Sequence, residues 1–223
     1  QPHDAPSLEG TLLTACRTPM AHEDHRQTDQ PSPEVAQDDV TVASFDFILA
    51  TVNILTLATE DQFGRITPTK QQLLMEQFSA AGCHVLGLQE TRHKRIINPS
   101  NEHYHIVGHP SDAQGLDGVQ MWFAKRKPLY ADGPYILMKH LKIVHDAPTL
   151  LIVKLDMPNW RSIFITGRAP HAGRPAEESQ KYWEHISKCI RQFAHVMPIF
   201  YLGDTNGHLG AHPSSAVGPH YAS

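Results

Sequence analysis

Val85-Leu-Gly-Leu-Gln-Glu90 is a short apolar run that ends on a charge, and it reads as a buried strand. Upstream, Phe47-Ile-Leu-Ala-Thr-Val-Asn-Ile-Leu-Thr-Leu57 is apolar on both alternating faces and rich in β-branched residues, as a strand covered on both sides should be. Between the two, Thr67-Pro68 offers an N-cap followed by proline at the first helical position. Leu74, Phe78 and Ala81 then recur at helical spacing, and Gly82 is placed to end that helix. Downstream, His103–Val107, Gly118–Phe123, Leu150–Leu155 and Ser162–Thr166 read as further strands. Pro175 opens a long helix, with Glu177 and Glu178 in its first turn and Trp183, Ile186, Ile190 and Phe193 on one face. Pro198-Ile-Phe-Tyr-Leu-Gly203 is the last strand, and Asp204 closes it. Many strands in succession with helices interspersed irregularly predict an α/β sandwich rather than a strict βαβ barrel.

The 223 residues, 40% of them hydrophobic and 19% charged, suffice for a real core and exclude collagen, a coiled coil and a wholly disordered chain. Residues 1–44, polar and broken by five prolines, read as a disordered acidic tail, and the domain is expected over 45–223. The first 45 residues hold eight acids against Arg17 and Arg26, whereas the rest carries 17 basic against 15 acidic residues. Such a mildly basic body permits a phosphate-bearing partner without demanding one. The clusters Arg92-His93-Lys94-Arg95 and Lys125-Arg126-Lys127 taken alone read as solvated loop charges. His103 and His105 share a strand face and read as surface histidines, and Cys83 and Cys189 as packing residues. Three cysteines, odd in number and widely spaced, suit a reducing, intracellular compartment. The longest apolar stretch, Phe47 to Ala58, falls well short of the roughly 20 residues that cross a bilayer, so no membrane partner is expected. No Gly-x-Ser-x-Gly, P-loop, His-Glu-x-x-His or Cys-x-x-Cys pattern occurs.

The chemistry gathers at strand ends. Asn53 follows Thr51-Val52, Glu90 follows Leu88-Gln89, and Asp204 with Asn206 sits in Gly203-Asp-Thr-Asn-Gly207. A carboxylate closing a buried strand is costly unless it meets a cation or several donors. Singly each has an ordinary reading: Asn53 could satisfy backbone groups, Glu90 could pair with Arg92, and Asp204-Thr-Asn-Gly could be a turn. Two acids and two amides together point instead to oxygen ligation of a hard divalent ion such as Mg²⁺ and to attack of water on a phosphodiester.

These blocks resemble those of the endonuclease/exonuclease/phosphatase superfamily. Leu86-Gly-Leu-Gln-Glu-Thr91 is similar to its "LQET" block, Gly203-Asp-Thr-Asn206 to "GDFN", and Thr51-Val-Asn53 to the first-strand "WN". Gly118-Val-Gln-Met-Trp-Phe-Ala-Lys125 resembles the central strand "GVAI…SK", and Arg168-Ala-Pro-His171 stands where "YAP" is usual. The style of the blocks is most similar to the apurinic-endonuclease-like domain of non-LTR retrotransposons. The resemblance implies a DNase I-like four-layer sandwich, two mixed β-sheets flanked by helices. It implies Glu90 as the principal Mg²⁺ ligand with Asn53 beside it, Mn²⁺ being a possible substitute. Asp204 would orient or deprotonate water, Asn206 would hold that site and the phosphate, and His171 would contact the phosphate. It further implies a DNA substrate nicked on one strand, a reverse-transcriptase domain as partner, a monomer, and action in the nucleus.

Four departures stand out. Arg168 replaces the usual tyrosine and can contact a phosphate only as a cation. Val52 and Thr205 replace aromatic packing residues. Nothing after Asn206 supplies the closing "SDH" block, and His208, His212 and His220 are not read as substitutes, so the fold is expected to be incomplete at its C-terminus. Three readings stay open: a DNA-nicking endonuclease, a hydrolase of the same fold acting on an inositol phosphate, a phospholipid or RNA, and a non-catalytic remnant that binds nucleic acid.

Overall fold

The computed structural model describes residues 47–57, 59–60, 66–67, 69–96, 101–129 and 133–207. The acidic tail, Pro68 as first helical residue, and the three C-terminal histidines lie outside the described residues. Among the described residues ten strands and two α-helices follow in the order β1 (Leu49–Asn53), β2 (Thr59–Glu60), β3 (Ile66–Thr67), α1 (Thr69–Ala80), β4 (Val85–Gln89), β5 (Tyr104–His109), β6 (Val119–Ala124), β7 (Leu141–Ala147), β8 (Leu150–Met157), β9 (Trp160–Gly167), α2 (Ala176–Phe193) and β10 (Ile199–Tyr201), with a single 3-10 turn at Met138–His140 before β7.

Two mixed sheets result. The first runs β1-β4-β6-β5 and the second β10-β9-β8-β7. In each, the end pair is parallel, β1 with β4 and β10 with β9, and the remaining neighbours are antiparallel. The pair β8–β9 closes through the two residues Pro158 and Asn159, since Met157 faces Trp160 in register. The four expected layers are present. Leu74, Met75 and Phe78 of α1 pack on Leu86, Leu88 and Trp122 of the first sheet. Val85, Met121 and Phe123 face Leu151, Val153 and Phe164 between the sheets. Tyr182, Ile186 and Cys189 of α2 cover Ile152, Ile163 and Ile165 on the far side. Phe164 is the hinge of the middle layer, stacked on Phe200 at 5.1 Å and met edge-on by Phe123 at 5.6 Å.

α1 ends as its sequence demands. Gly82 takes φ +73°, and the Cys83 amide reaches back to Phe78 O at 2.9 Å, a Schellman closure that buries Cys83 beside Phe78.

Five expectations are corrected. The first strand stops at Asn53 instead of running to Leu57, because Leu55 turns into the left-handed region at φ 58° and the Ile54 amide bonds to Gln89 O. It is half-exposed rather than covered on both faces, having one neighbour among the described strands. On α1 Ala81 is exposed and Met75 is buried in its place. On α2 the buried stripe is Tyr182, Ile186 and Cys189, while Trp183 and Ile190 stay 37% and 39% exposed. His103 and His105 are half-buried rather than on the surface, and His105 Nε2 donates to Ile136 O at 3.0 Å.

Candidate functional site

Parallel pairing puts the C-terminal ends of β1 and β4 side by side, with Asn53 in register with Gln89. The turn beyond β4 then carries Glu90 inward, and the residue is buried at 6% exposure. In the second sheet the parallel pair β9–β10 does the same for Arg168 and Asp204, which form a parallel bridge just past the strand ends. The sheets are brought together here by small and polar residues. Gly87 has no room for a side chain against Leu202 and Thr166. Gln89, buried on the same face, donates from Nε2 to Thr166 Oγ1 at 2.8 Å and to Leu202 O at 2.9 Å.

The Asn53 amide therefore reaches both carboxylates. Its Nδ2 donates to Glu90 Oε1 and to Asp204 Oδ2, each at 2.9 Å. Glu90 also meets two guanidinium groups: Arg92 Nη2 lies 2.8 Å from Oε2 and Arg168 Nε lies 3.1 Å from Oε1. The Arg168 contact is a charge contact without hydrogen-bond alignment. Its Nη1 donates to Asp117 Oδ1 at 2.8 Å. Asp204 Oδ1 accepts the Asn206 amide at 2.9 Å, and the Asn206 side chain donates to Ala169 O. Glu90, Arg92, Asp117 and Asn206 all have φ between 46° and 59°, so strained backbone concentrates at this spot.

A groove of about 260 Å³ opens beside this cluster. Glu90, Arg92, Asp117, Arg168, His171 and Arg174 line it; Asn53, Asp204 and Asn206 do not. Glu90 and Arg168 are thus common to the groove and to the Asn53–Asp204 pair. His171 is exposed and accepts the Gly173 amide on Nδ1 at 3.1 Å, which fixes its ring on the rim. All six residues singled out from the sequence converge on this one end of the two sheets. The sequence reads Arg92 as a solvated loop charge or as a partner for Glu90, and it does not single out Asp117. Asp117 precedes Gly118, and the pair takes positive φ, 59° and 87°, so that their carbonyls accept the Arg92 and Thr91 amides.

Burial by itself raises the Glu90 carboxyl. The hydrogen bonds from Asn53 and Arg92, with the charges of Arg168 and Arg92, outweigh it and hold the group below the usual carboxylate range. A lowered folded value stabilises the fold above the unfolded value, near 4.3, and that contribution fades as pH falls through the folded value. The gap in urea midpoint between the parent and Glu90→Gln is therefore expected to be constant above about pH 5.5 and to narrow below it. A gap that widens on acidification would contradict the ion-paired state.

Carboxylates and amides are the right donor types for Mg²⁺, but the charge around Glu90 is not. Oε1 already holds Asn53 and Arg168, Oε2 holds Arg92, and a divalent ion there would have to displace a guanidinium. Among the described residues no three His, Cys, Asp or Glu side chains are grouped to hold a metal. No described helix is long and apolar enough to cross a membrane.

No protein-family model and no curated protein sequence matches the chain. Solved structures to which it is similar include the endonuclease domain of TRAS1, a telomere-specific non-LTR retrotransposon, at 10% identity and a TM-score of 0.45 over 71% of this chain and 60% of that one. The human nocturnin catalytic domain with bound sulfate is 15% identical at a TM-score of 0.45, over 72% and 64%. An AP endonuclease from Archaeoglobus fulgidus is 15% identical at 0.44, over 71% and 56%. The chain spans less than two thirds of each of these.

Proposed function

We propose that this end of the sandwich binds a phosphodiester and hydrolyses it. The observation that carries the reading is Asn53, one amide nitrogen joined to Glu90 and to Asp204, residues 151 positions away from it along the chain at most and drawn from different sheets. Asn53 and the Asn206 amide hold Asp204 as an acceptor beside a groove lined by arginines. Water bound there gives its proton to Asp204 while its oxygen bonds to phosphorus, the ester P–O bond breaks, and the leaving oxygen is protonated from solvent. Arg92 and Arg168 neutralise the charge that develops on the phosphate oxygens.

DNA as substrate, single-strand nicking, a reverse-transcriptase domain as partner and the nucleus as site of action are supported by the motif resemblance. Supercoiled plasmid tests the reading, with Mg²⁺, Mn²⁺ or EDTA present, the metals being supplied because that resemblance calls for them. The parent is expected to give open circles, and Asp204→Asn to slow this by about 10²-fold or more. A folded, monodisperse parent that nicks under no condition would overturn hydrolysis. DNA binding that then persists and weakens with salt would favour the non-catalytic alternative.

A further inference from the structure

Arg168 and Arg92 touch Glu90 on its two different oxygens, and both arginines line the same groove. We infer that the Arg168 guanidinium, with Arg92 beside it, is the resident cation at Glu90, and that the groove takes a phosphate group on these two arginines without a divalent metal. This rests on the phosphodiester reading and gives that site its charge partner.

Three observations carry it. Mg²⁺ asks for near-octahedral oxygen ligation and keeps several waters, yet Glu90 is 6% exposed and its Oε1 already accepts from Asn53 at 2.9 Å with Arg168 Nε at 3.1 Å. Arg168 is anchored twice, at Glu90 and by Nη1 to Asp117 at 2.8 Å, so its planar fork is oriented before any ligand arrives. A guanidinium has five N–H donors, and these contacts leave others on both arginines for phosphate oxygens. The groove, about 260 Å³ with Arg174 and His171 on its rim, has room for a phosphate and one ester substituent. Glu90 and Asp117 are in this arrangement positioning residues, which hold the arginines rather than a metal.

Calorimetry separates the two assignments. The parent chain and its Arg168→Lys, Arg168→Gln and Glu90→Gln variants, each checked for folding by circular dichroism, are titrated with inorganic phosphate in EDTA, then with Mg²⁺ alone. A short oligonucleotide without terminal phosphate is the second probe, distinguishing a diester from the free ion. The parent is expected to bind phosphate or the diester in EDTA. Arg168→Gln should weaken this at least tenfold, and Arg168→Lys, which keeps the charge but not the fork, less. Freed of one guanidinium, Glu90 in Arg168→Gln should gain saturable Mg²⁺ binding that the parent lacks. Phosphate binding that appears only with Mg²⁺ and is lost in Glu90→Gln would overturn the inference, as would a folded parent that binds neither probe. Plasmid nicking keeps the two readings apart. Mg²⁺-dependent nicking lost in Glu90→Gln would sustain the hydrolase and sink the arginine clamp. Phosphate binding in EDTA without cleavage would do the reverse.

Discussion

Glu90→Ala is expected to destabilise the folded chain by about 3 kcal/mol, at the lower end of the cost of removing one partner from a buried ion pair. The carboxylate is almost fully enclosed, and its loss strands Arg92 and Arg168 together with the Asn53 amide. The arginine side chains are 38% and 27% exposed, so each recovers some hydration, which places the effect at the lower end. With a urea slope of about 2 kcal/mol/M, the midpoint should fall by roughly 1.5 M. Plasmid nicking should be lost in the same variant, because Asn53 then holds Asp204 alone. A midpoint unchanged within about 0.3 M would show that the guanidinium groups rehydrate fully and that Glu90 is no keystone of the cluster.

Gly87→Val should be as damaging, by a route that involves no charge. An added β-carbon at this residue would lie 2.5 Å from Leu202 O, 2.7 Å from Leu202 Cβ and 2.8 Å from Thr166 Oγ1. The first two are backbone and the atom next to it, so no side-chain rotation relieves them. The sheets would have to part where Gln89 bonds to those same two residues. Overpacking of this kind costs about 3 kcal/mol and lowers the thermal midpoint by roughly 6–12 °C for a chain of this size. Because Leu202 leads directly to Asp204, nicking should fall with it. A shift below about 2 °C would mean that β10 is free to move off the first sheet.

The legible parts of the fold are those whose side chains meet one environment throughout. Every residue of β4 is buried, so its apolar run could only be an inner strand. The strand β7 leaves no signal in the sequence for the opposite reason: four of its seven residues are exposed and none is buried, so no alternation marks it. On α2 the sequence favours Trp183, yet Tyr182 turns inward because its hydroxyl finds Tyr201 at 3.1 Å. That pairing joins residues 19 apart and leaves no local trace. The candidate site shows the same division. Glu90, Asp204 and the two asparagines announce themselves as polar residues closing apolar runs. Asp117 does not, since its partner Arg168 lies 51 residues further on and only the fold brings them together.

The cluster draws its acids from strands of unequal security. Glu90 follows an inner strand bonded on both sides, whereas Asn53 ends β1 and Asp204 follows β10, each strand with a single neighbour among the described strands. Outer strands exchange their amide hydrogens through local openings that leave the core intact. Fraying of these two strands therefore takes Asn53 and Asp204 out of the cluster while the core stays folded, so the cluster is expected to come apart many times over between one global unfolding and the next.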